Sequence, residues 1–132
     1  MNIPKDCRYT NEHEWVRPDG AGFVKIGVTD YAQGALGDVV YVELPEPGRP
    51  LKQMEAFGSV EAVKTVSDLF SPITGEVAEV NEAIKTDPAV VNRSPHDEGW
   101  MIRARLKDAG ELEKLLTPEA YEEMVRGLEG GH

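Results

Sequence analysis

Lys64 is the residue of this chain whose setting best suits a chemical modification. It lies in the segment SVEAVKTVSD (residues 59–68), between two stretches of strand-like composition where the chain is expected to turn back. The segment lacks the Asn-Gly or Asp-Gly pair of an ordinary tight turn. A lysine at a rigid, exposed tip can enter another enzyme's active site and be acylated, which replaces its ammonium by a neutral amide. From this setting alone, an ordinary solvated lysine is the stronger interpretation.

The other reactive side chains form no recognisable catalytic or metal-binding pattern. His96, His132 and Cys7 lack the mutual spacing of metal ligands. The sequence contains neither a legible Ser-His-Asp grouping nor a glycine-rich phosphate loop. A standalone enzyme is therefore the weakest interpretation of the chain.

The charge balance excludes several classes of partner. The 132 residues include 14 basic and 24 acidic side chains, which gives a net charge of −10. Nucleic acids and anionic membranes attract cationic surfaces, so we expect neither as a partner. No stretch approaches the roughly eighteen apolar residues of a transmembrane helix. The charge is compatible with docking to basic grooves on proteins, and equally with a simple contribution to solubility.

The N-terminal segment and the cysteine content suggest a cytoplasmic protein. The first six residues, MNIPKD, lack the apolar core of a secretion signal and the Ser/Arg-rich composition of a transit sequence. The single cysteine, Cys7, cannot form an intramolecular disulfide, which suits a reducing compartment.

Alternating apolar residues predict a mainly β fold. Val24, Ile26 and Val28 share one face of a strand, and the sets Val40/Val42/Leu44 and Trp100/Ile102/Ala104/Leu106 repeat the pattern. Shorter β-like stretches occur at residues 57–63, 66–70 and 75–80. Short strands at this spacing, with Gly and Pro between them, indicate a sandwich or a barrel.

The sequence predicts helices near the two ends of the chain. Asp108 followed by Glu111 resembles an N-cap with its capping-box partner. Thr117-Pro118-Glu119 predicts a second start, with Tyr121, Met124, Val125 and Leu128 facing inward and Gly130-Gly131 at its end. A shorter helix is predicted to start at Thr10 and run through Glu12 and Glu14. The length fits one domain over residues 1–132, with a β core at about 20–107 and helices at about 108–129.

The sequence also resembles itself at an offset of thirty-eight residues. Residues 28–31 (VTDY) match residues 66–69 (VSDL), and residues 37–42 (GDVVYV) match residues 75–80 (GEVAEV). Two matches at one offset favour a supersecondary unit used twice. Two such units, each too small to bury a sheet face alone, would pack into a quasi-symmetric sandwich.

The segments around Lys64 resemble the lipoyl-attachment region of the glycine cleavage system H-protein family. These segments are FGSVEAVKTVSDL (57–69) and SPITGEV (71–77). The resemblance continues in family order over nearly the whole chain, and the combination is highly specific. The further blocks are Tyr9 with HEWV (13–16), IGVTDYAQ (26–33), LGDVV (36–40), VELP (42–45), VNRSP (91–95), GWMI (99–102) and the segment from Thr117 to Tyr121.

The resemblance implies a fold, a cofactor and a set of partners. The fold would be a barrel-sandwich hybrid of two quasi-symmetric halves, with short N-terminal and C-terminal helices. Lys64 would carry lipoic acid in amide linkage, attached by a lipoylating enzyme. This non-catalytic carrier would shuttle glycine's aminomethyl group from a PLP-dependent glycine decarboxylase to a folate-dependent aminomethyltransferase. Dihydrolipoamide dehydrogenase would then reoxidise the arm. A mobile substrate of several enzymes is expected to be a monomer.

The resemblance also implies a cleft in which the loaded arm is sheltered from water. Glu14 and Asp68, with Glu12 beside them, match its positions, and carboxylates are suitable partners for a protonated amine. Position 12 often bears a small hydroxyl residue in the family, so Glu12 is the weaker assignment. His13 could orient Glu14 or contact a partner, or it could be a structural histidine with its hydrogen bonds satisfied. Glu12 and Glu14 could also merely favour a helix N-terminus.

Two other carrier classes fit the sequence less well. Biotinyl domains usually have methionines beside the lysine, where this chain has Val63 and Thr65. Lipoyl domains of 2-oxoacid dehydrogenases are shorter, and they are usually joined to a catalytic domain. An H-like protein that relays lipoyl groups to other proteins remains a further alternative.

Overall fold

Two antiparallel sheets form the body of the protein over residues 1–130, which the computed structural model describes. The strands are β1 (Arg8–Tyr9), β2 (Glu14–Pro18), β3 (Phe23–Val28), β4 (Val39–Glu43), β5 (Pro50–Leu51), β6 (Ala56–Ala62), β7 (Val66–Phe70), β8 (Gly75–Val80) and β9 (Ile102–Leu106). One sheet has the order β1-β2-β3-β9-β8-β5 and the other has the order β4-β6-β7. Over the described residues the sheets do not close into a barrel, which agrees with the predicted mainly β, barrel-sandwich architecture.

The main core lies between the two sheets. Ile26 and Ile102 of the six-stranded sheet belong to the same buried cluster as Val42, Val60 and Leu69 of the three-stranded sheet. Because neighbouring residues of a strand point to opposite faces, the alternating apolar positions of both sheets reach this shared core. The strands predicted from alternation around Val24 and Ile102 are confirmed.

Four α-helices and one 3-10 helix connect and cover the strands in the described part of the chain. They are α1 (Asp30–Leu36), α2 (Glu82–Thr86), α3 (Val90–Arg93), the 3-10 helix (Ala109–Lys114) and α4 (Pro118–Gly130). The predicted start of α4 is confirmed, because the Thr117 hydroxyl accepts the Ala120 N–H at 3.1 Å. Tyr121 and Val125 are buried as predicted, whereas Leu128 is half exposed, so the inward stripe ends one turn early. Gly131, part of the predicted terminus, lies outside the described residues.

The capping box predicted at Asp108 is only half formed. Asp108 caps the 3-10 helix by accepting the Gly110 N–H. The Glu111 carboxylate instead accepts the backbone N–H and the hydroxyl of Thr74, each at 2.7 Å. Its partner is a loop 37 residues away, which a local capping pattern cannot indicate.

The predicted N-terminal helix at Thr10 is wrong. The Thr10 hydroxyl does accept N–H groups from Glu12 and Glu14, as a helix cap would, but the chain makes a turn there. His13 takes a left-handed φ of 72°, and strand β2 begins at the next residue. β2 pairs with both β1 and β3, which satisfies the backbone hydrogen-bonding groups of this segment. Sheet formation is therefore favoured over the helix that the Thr10 cap alone would start.

Strand β4 departs from simple alternation because of a β-bulge. The register with β6 shifts between Val39 and Tyr41. Val39 and Val42 are therefore buried, whereas Val40 is 48% exposed. An extra residue in one strand reverses the inside–outside pattern, so the prediction that Val40 and Val42 share a face is wrong.

Of the two pairs of matching segments in the internal repeat, one pair has corresponding structure. The segments 37–42 and 75–80 correspond in structure, since they contain or form strands β4 and β8. The segments 28–31 and 66–69 do not correspond. The first ends β3 and starts α1, while the second lies within β7.

Trp15 is packed directly over a glycine of the neighbouring strand. Gly27 is its register partner, and a Cβ at position 27 would lie 2.8 Å from the indole ring. Trp15 is fully buried, and its indole N–H donates to the Pro95 carbonyl at 3.0 Å. The ring therefore has little freedom to withdraw from an added methyl group.

We predict that Gly27→Ala lowers the free energy of unfolding by about 1–3 kcal/mol, the usual cost of overpacking a core. Gly34 provides the matched control, since it lies exposed within α1 with open space at its Cβ position. Gly34→Ala should be neutral or stabilising by up to about 1 kcal/mol. Urea unfolding of the two variants measures both effects, and equal stability would contradict the packing argument.

Candidate functional site

Lys64 lies on the turn between β6 and β7. The last backbone pair of the hairpin joins Glu61 to Val66, and the Ala62 N–H donates to the Thr65 carbonyl at 2.8 Å. The Lys64 side chain is exposed, and no ion pair among residues 1–130 involves it. The structure thus places an accessible amine at the tip of a hydrogen-bonded hairpin, as the sequence predicts.

The turn rests against the loop between α1 and β4. The Val63 N–H donates to the Asp38 carbonyl at 3.1 Å. A Cβ on Gly37, which has a φ of 81°, would lie 3.3 Å from Lys64 Cε. Glycine at this position therefore permits both the left-handed backbone and the close approach of the lysine stem.

A cleft of about 170 Å³ lies beside the edge strand of the lysine hairpin. It brings together all four residues predicted to shelter an arm. The lining residues come from the turn before β2, from β2 itself, from β3 and α1, and from β6 and β7: Glu12, His13, Glu14, Val28, Tyr31, Ala32, Ala35, Leu36, Val60, Ser67, Asp68 and Leu69. Asp68 follows Lys64 by four residues, so their Cα atoms are at most about 13 Å apart along an extended chain.

Glu14 is the one deeply buried carboxyl among these four predicted residues. Only 2% of it is exposed. Its Oε1 accepts the Thr10 hydroxyl proton at 2.6 Å, and its Oε2 accepts the Phe70 N–H at 3.3 Å. Burial raises the pKa of Glu14 to about 7, the charge of Glu12 adds to the rise, and the two hydrogen bonds oppose it. Glu12 and Asp68 are exposed, so the cleft has one buried acid and two solvated ones.

Comparison with known proteins identifies the family. The family described as "Glycine cleavage H-protein" matches residues 7–127. The glycine cleavage system H protein of Geobacillus kaustophilus is 57% identical over 95% of this chain and 98% of its own length. That of Bacillus subtilis is 55% identical over 96% and 98%. This chain belongs to the glycine cleavage H-protein family. A crystal structure of the H protein from Mycobacterium marinum superposes with a TM-score of 0.82, at 41% identity, over 97% of this chain and 99% of that one.

In this family member, His13 is held by a residue from the far end of the chain. Its Nδ1 and the Tyr121 hydroxyl form a hydrogen bond of 2.8 Å, and that hydroxyl also bonds the Thr29 hydroxyl at 2.7 Å. The imidazole packs against the Tyr31 ring at 4.7 Å. Burial lowers the pKa of His13, which favours the neutral ring, while Glu12 partly offsets this effect. The ring is thus held through Nδ1, and this hydrogen bond goes to Tyr121 rather than to Glu14.

Three residues that shape this H-protein cleft were missed by sequence reasoning. Thr10 and Phe70 bond Glu14, and Tyr121 bonds His13 across 108 positions. The position of Tyr121 on the inward face of α4 was readable from helical spacing. The role of its hydroxyl was not, because that depends on how α4 packs. None of the helices described for this chain has the length and apolarity required to cross a membrane.

We predict that Glu14 makes this H-protein chain less stable as the pH rises from 5 to 8. Its folded pKa of about 7 exceeds the ordinary value of 4.5. Its contribution is therefore fully present below the unfolded pKa and is lost as the pH rises through the folded one. Glu14→Gln mimics the protonated acid, so the stability difference between parent and variant should change by about 2–3 kcal/mol over this range.

Denaturant unfolding of both proteins at each pH measures this difference. The histidines are shared by parent and variant, so their own titration cancels. This includes His96, whose pKa burial lowers to about 4. A stability difference independent of pH would show that Glu14 is ionised like a solvated acid.

Proposed function

We propose that this chain is the lipoyl carrier of the glycine cleavage system, with Lys64 as the attachment site. The observation that carries the proposal is the placement of an exposed amine on the hairpin turn beside a cleft lined by carboxylates. Membership of the H-protein family supports the carrier role. Attachment requires an enzyme that presents an activated lipoyl carboxyl to the Lys64 amine. An amide forms, the activating group leaves, and the amine loses a proton.

The arm would supply redox and group-carrying chemistry, accepting the aminomethyl group of glycine and passing its dithiol on for reoxidation. The proposed partners are a PLP-dependent glycine decarboxylase, a folate-dependent aminomethyltransferase, dihydrolipoamide dehydrogenase and a lipoylating enzyme. The chain itself would contribute presentation and shelter rather than catalysis, as a monomer in the cytoplasm. Its net charge of −10 is compatible with docking to basic surfaces on these enzymes.

The residues of the cleft fit a loaded arm that ends in an amine. Glu14 lies on the inner side and Asp68 on the strand that leads from Lys64, so a cation entering the cleft would lie near two carboxylates. Leu36, Val60 and Leu69 line the same space and would exclude water from the bound group. Glu12 would add negative charge from the rim without a direct contact.

The first test is modification of Lys64. Expression with a lipoylating system should increase the intact mass by one lipoyl group, and Lys64→Arg should abolish the increase. Lys85→Arg is the control, because Lys85 is an exposed lysine that pairs with Glu82 on α2. Modification of another lysine with Lys64 untouched would overturn the assignment.

An exchange assay separates the carrier from an H-like lipoyl donor. The lipoylated chain should support exchange of labelled carbon dioxide with the carboxyl group of glycine by the decarboxylase. A protein that only relays lipoyl groups would give none.

We further predict that Glu14→Gln speeds hydrolytic loss of the aminomethyl group from the loaded chain by about tenfold. This is the effect of losing one charge-assisted hydrogen bond of about 1.5 kcal/mol. In the parent, shelter should strengthen as the pH rises through about 7, since ionised Glu14 binds a cation better. In the variant this dependence should disappear. Glu76→Gln, which changes an exposed acid on β8, is the control, and the rate of formaldehyde release is the measurement.

A further inference from the structure

The side-chain amide of Asn92 forms hydrogen bonds to α1, to the loop that follows it and to the first residue of β4. Its Nδ2 donates to the Gly37 carbonyl at 2.8 Å and to Gln33 Oε1 at 3.1 Å. Its Oδ1 accepts the Val39 N–H at 2.9 Å. Asn92 lies in α3, more than fifty residues from these partners. Three bonds from one side chain to distant segments use both of its donor hydrogens and its acceptor oxygen.

The loop that Asn92 holds is the one that supports the lysine turn. Two of its bonds flank Asp38, since they engage the residues immediately before and after it. The Asp38 carbonyl accepts the N–H of Val63, the residue preceding Lys64. The stem of Lys64 also lies against Gly37. Asn92 is therefore connected to the lysine turn through the loop. It is hydrogen-bonded to the residues on either side of Asp38, and Asp38 is hydrogen-bonded to Val63.

The third bond of Asn92 reaches a wall of the cleft. Gln33 lies in α1, and its backbone carbonyl accepts the Gly37 N–H at 3.0 Å. Its side-chain nitrogen donates to Asp30 Oδ1 at 2.8 Å. The α1 residues Ala32, Ala35 and Leu36 line the cleft. Asn92 thus contacts both the element that supports the lysine turn and the element that borders the cleft.

We propose that Asn92 is a positioning residue that fixes the Lys64 turn relative to the cleft. The inference rests on the proposed function of Lys64 as the attachment site. An arm attached at Lys64 reaches the cleft productively only if the turn keeps a defined distance and direction to α1. Presentation of the amine to a lipoylating enzyme likewise depends on a single turn conformation.

The chemistry of the amide distinguishes asparagine from its isosteres. An aspartate at this position would still accept the Val39 N–H, but its second oxygen would face two acceptors, the Gly37 carbonyl and Gln33 Oε1. Asn92→Asp therefore keeps the shape of the side chain but turns two hydrogen bonds into repulsive contacts between oxygens. Asn92→Ala removes all three hydrogen bonds. Both substitutions should release the loop, so agreement between them separates hydrogen bonding from packing.

Asn81 provides a matched control elsewhere in the chain. Its Nδ2 donates to the Glu98 and Trp100 carbonyls at 2.8 and 2.7 Å, and its Oδ1 accepts the Ala83 N–H at 3.1 Å. Asn81→Ala removes the same number of hydrogen bonds as Asn92→Ala, two donated and one accepted. Its partners lie in α2 and in the segment before β9, and none of these three bonds reaches the loop before β4 or the lysine turn.

The experiment measures amide hydrogen exchange and lipoylation on the full chain. Asn92→Ala and Asn92→Asp should speed exchange of the Val63 amide about tenfold, equivalent to about 1.4 kcal/mol of local stability. They should lower kcat/KM for attachment of lipoic acid by a lipoate–protein ligase with ATP. Asn81→Ala, compared under conditions in which every variant is folded, should change neither quantity.

Two results would overturn the role of Asn92. One is Val63 exchange no faster in the Asn92 variants than in Asn81→Ala. The other is faster exchange with unchanged lipoylation kinetics, which would show that the turn needs no positioning. Failure of the parent chain to accept a lipoyl group at Lys64 would instead overturn the proposed function. The Val63 exchange rates would then still report whether Asn92 and the turn are coupled.

Discussion

The buried carboxyl of Glu14 lines the cleft and joins the two sheets there. Glu14 begins β2 of the six-stranded sheet, and its Oε2 accepts the N–H of Phe70, the last residue of β7 in the three-stranded sheet. Its Oε1 accepts the hydroxyl proton of Thr10, which in turn holds the turn that leads into β2. One acid therefore fixes the N-terminal turn, the sheet edge and the strand that leads from the lysine hairpin. The end of β7, the strand that begins two residues after Lys64, is thereby tied to the six-stranded sheet.

The surroundings of Glu14 explain why this junction can exist at neutral pH. A fully buried carboxylate without partners would be very costly, and burial accordingly raises the pKa of this group. The Thr10 hydroxyl accepts the N–H groups of Glu12 and Glu14, which occupies both of its lone pairs, so it serves Glu14 as a donor. The carbonyl oxygen of a protonated acid also accepts such a proton, though more weakly than a carboxylate does. The contact to Thr10 is therefore retained in either protonation state. A backbone N–H, as at Phe70, can only donate, so that contact favours the ionised form.

Local patterns in the sequence predicted those features that local interactions decide. The strands around Ile26 and Ile102, the cap at Thr117 and the turn at Lys64 all follow from periodicity or from neighbours within a few residues. Thr10 shows the limit of this reasoning. Its hydroxyl makes the bonds of a helix cap, yet the segment after it becomes a strand because β1 and β3 are available on both sides. The local preference for a helix is outweighed there by strand pairing with segments that lie outside the few residues considered around Thr10.

The parts of the site that escaped prediction are long-range polar contacts. A glutamate is normally expected in solvent, so nothing in the sequence marked Glu14 as buried. The bond between His13 and Tyr121 spans 108 positions, and the bonds from Asn92 to the loop before β4 span more than fifty. Resemblance to the family pointed to Glu14 and Asp68 as cleft residues. Only the fold shows that Glu14 is shielded while Asp68 is exposed.

This difference between the two acids bears on how a carrier could hold a cation and still release it. A buried acid with an ordinary pKa would carry a permanent charge and bind an amine tightly at every physiological pH. With a pKa of about 7, Glu14 is close to equally protonated and ionised at neutrality. An arriving ammonium would favour the ionised form, at a cost of only a fraction of a kcal/mol for removing the proton. On departure the acid would take a proton back, so no uncompensated charge would remain buried. Under the proposed function, the change in charge at Glu14 would then add little to the free energy of either binding or release.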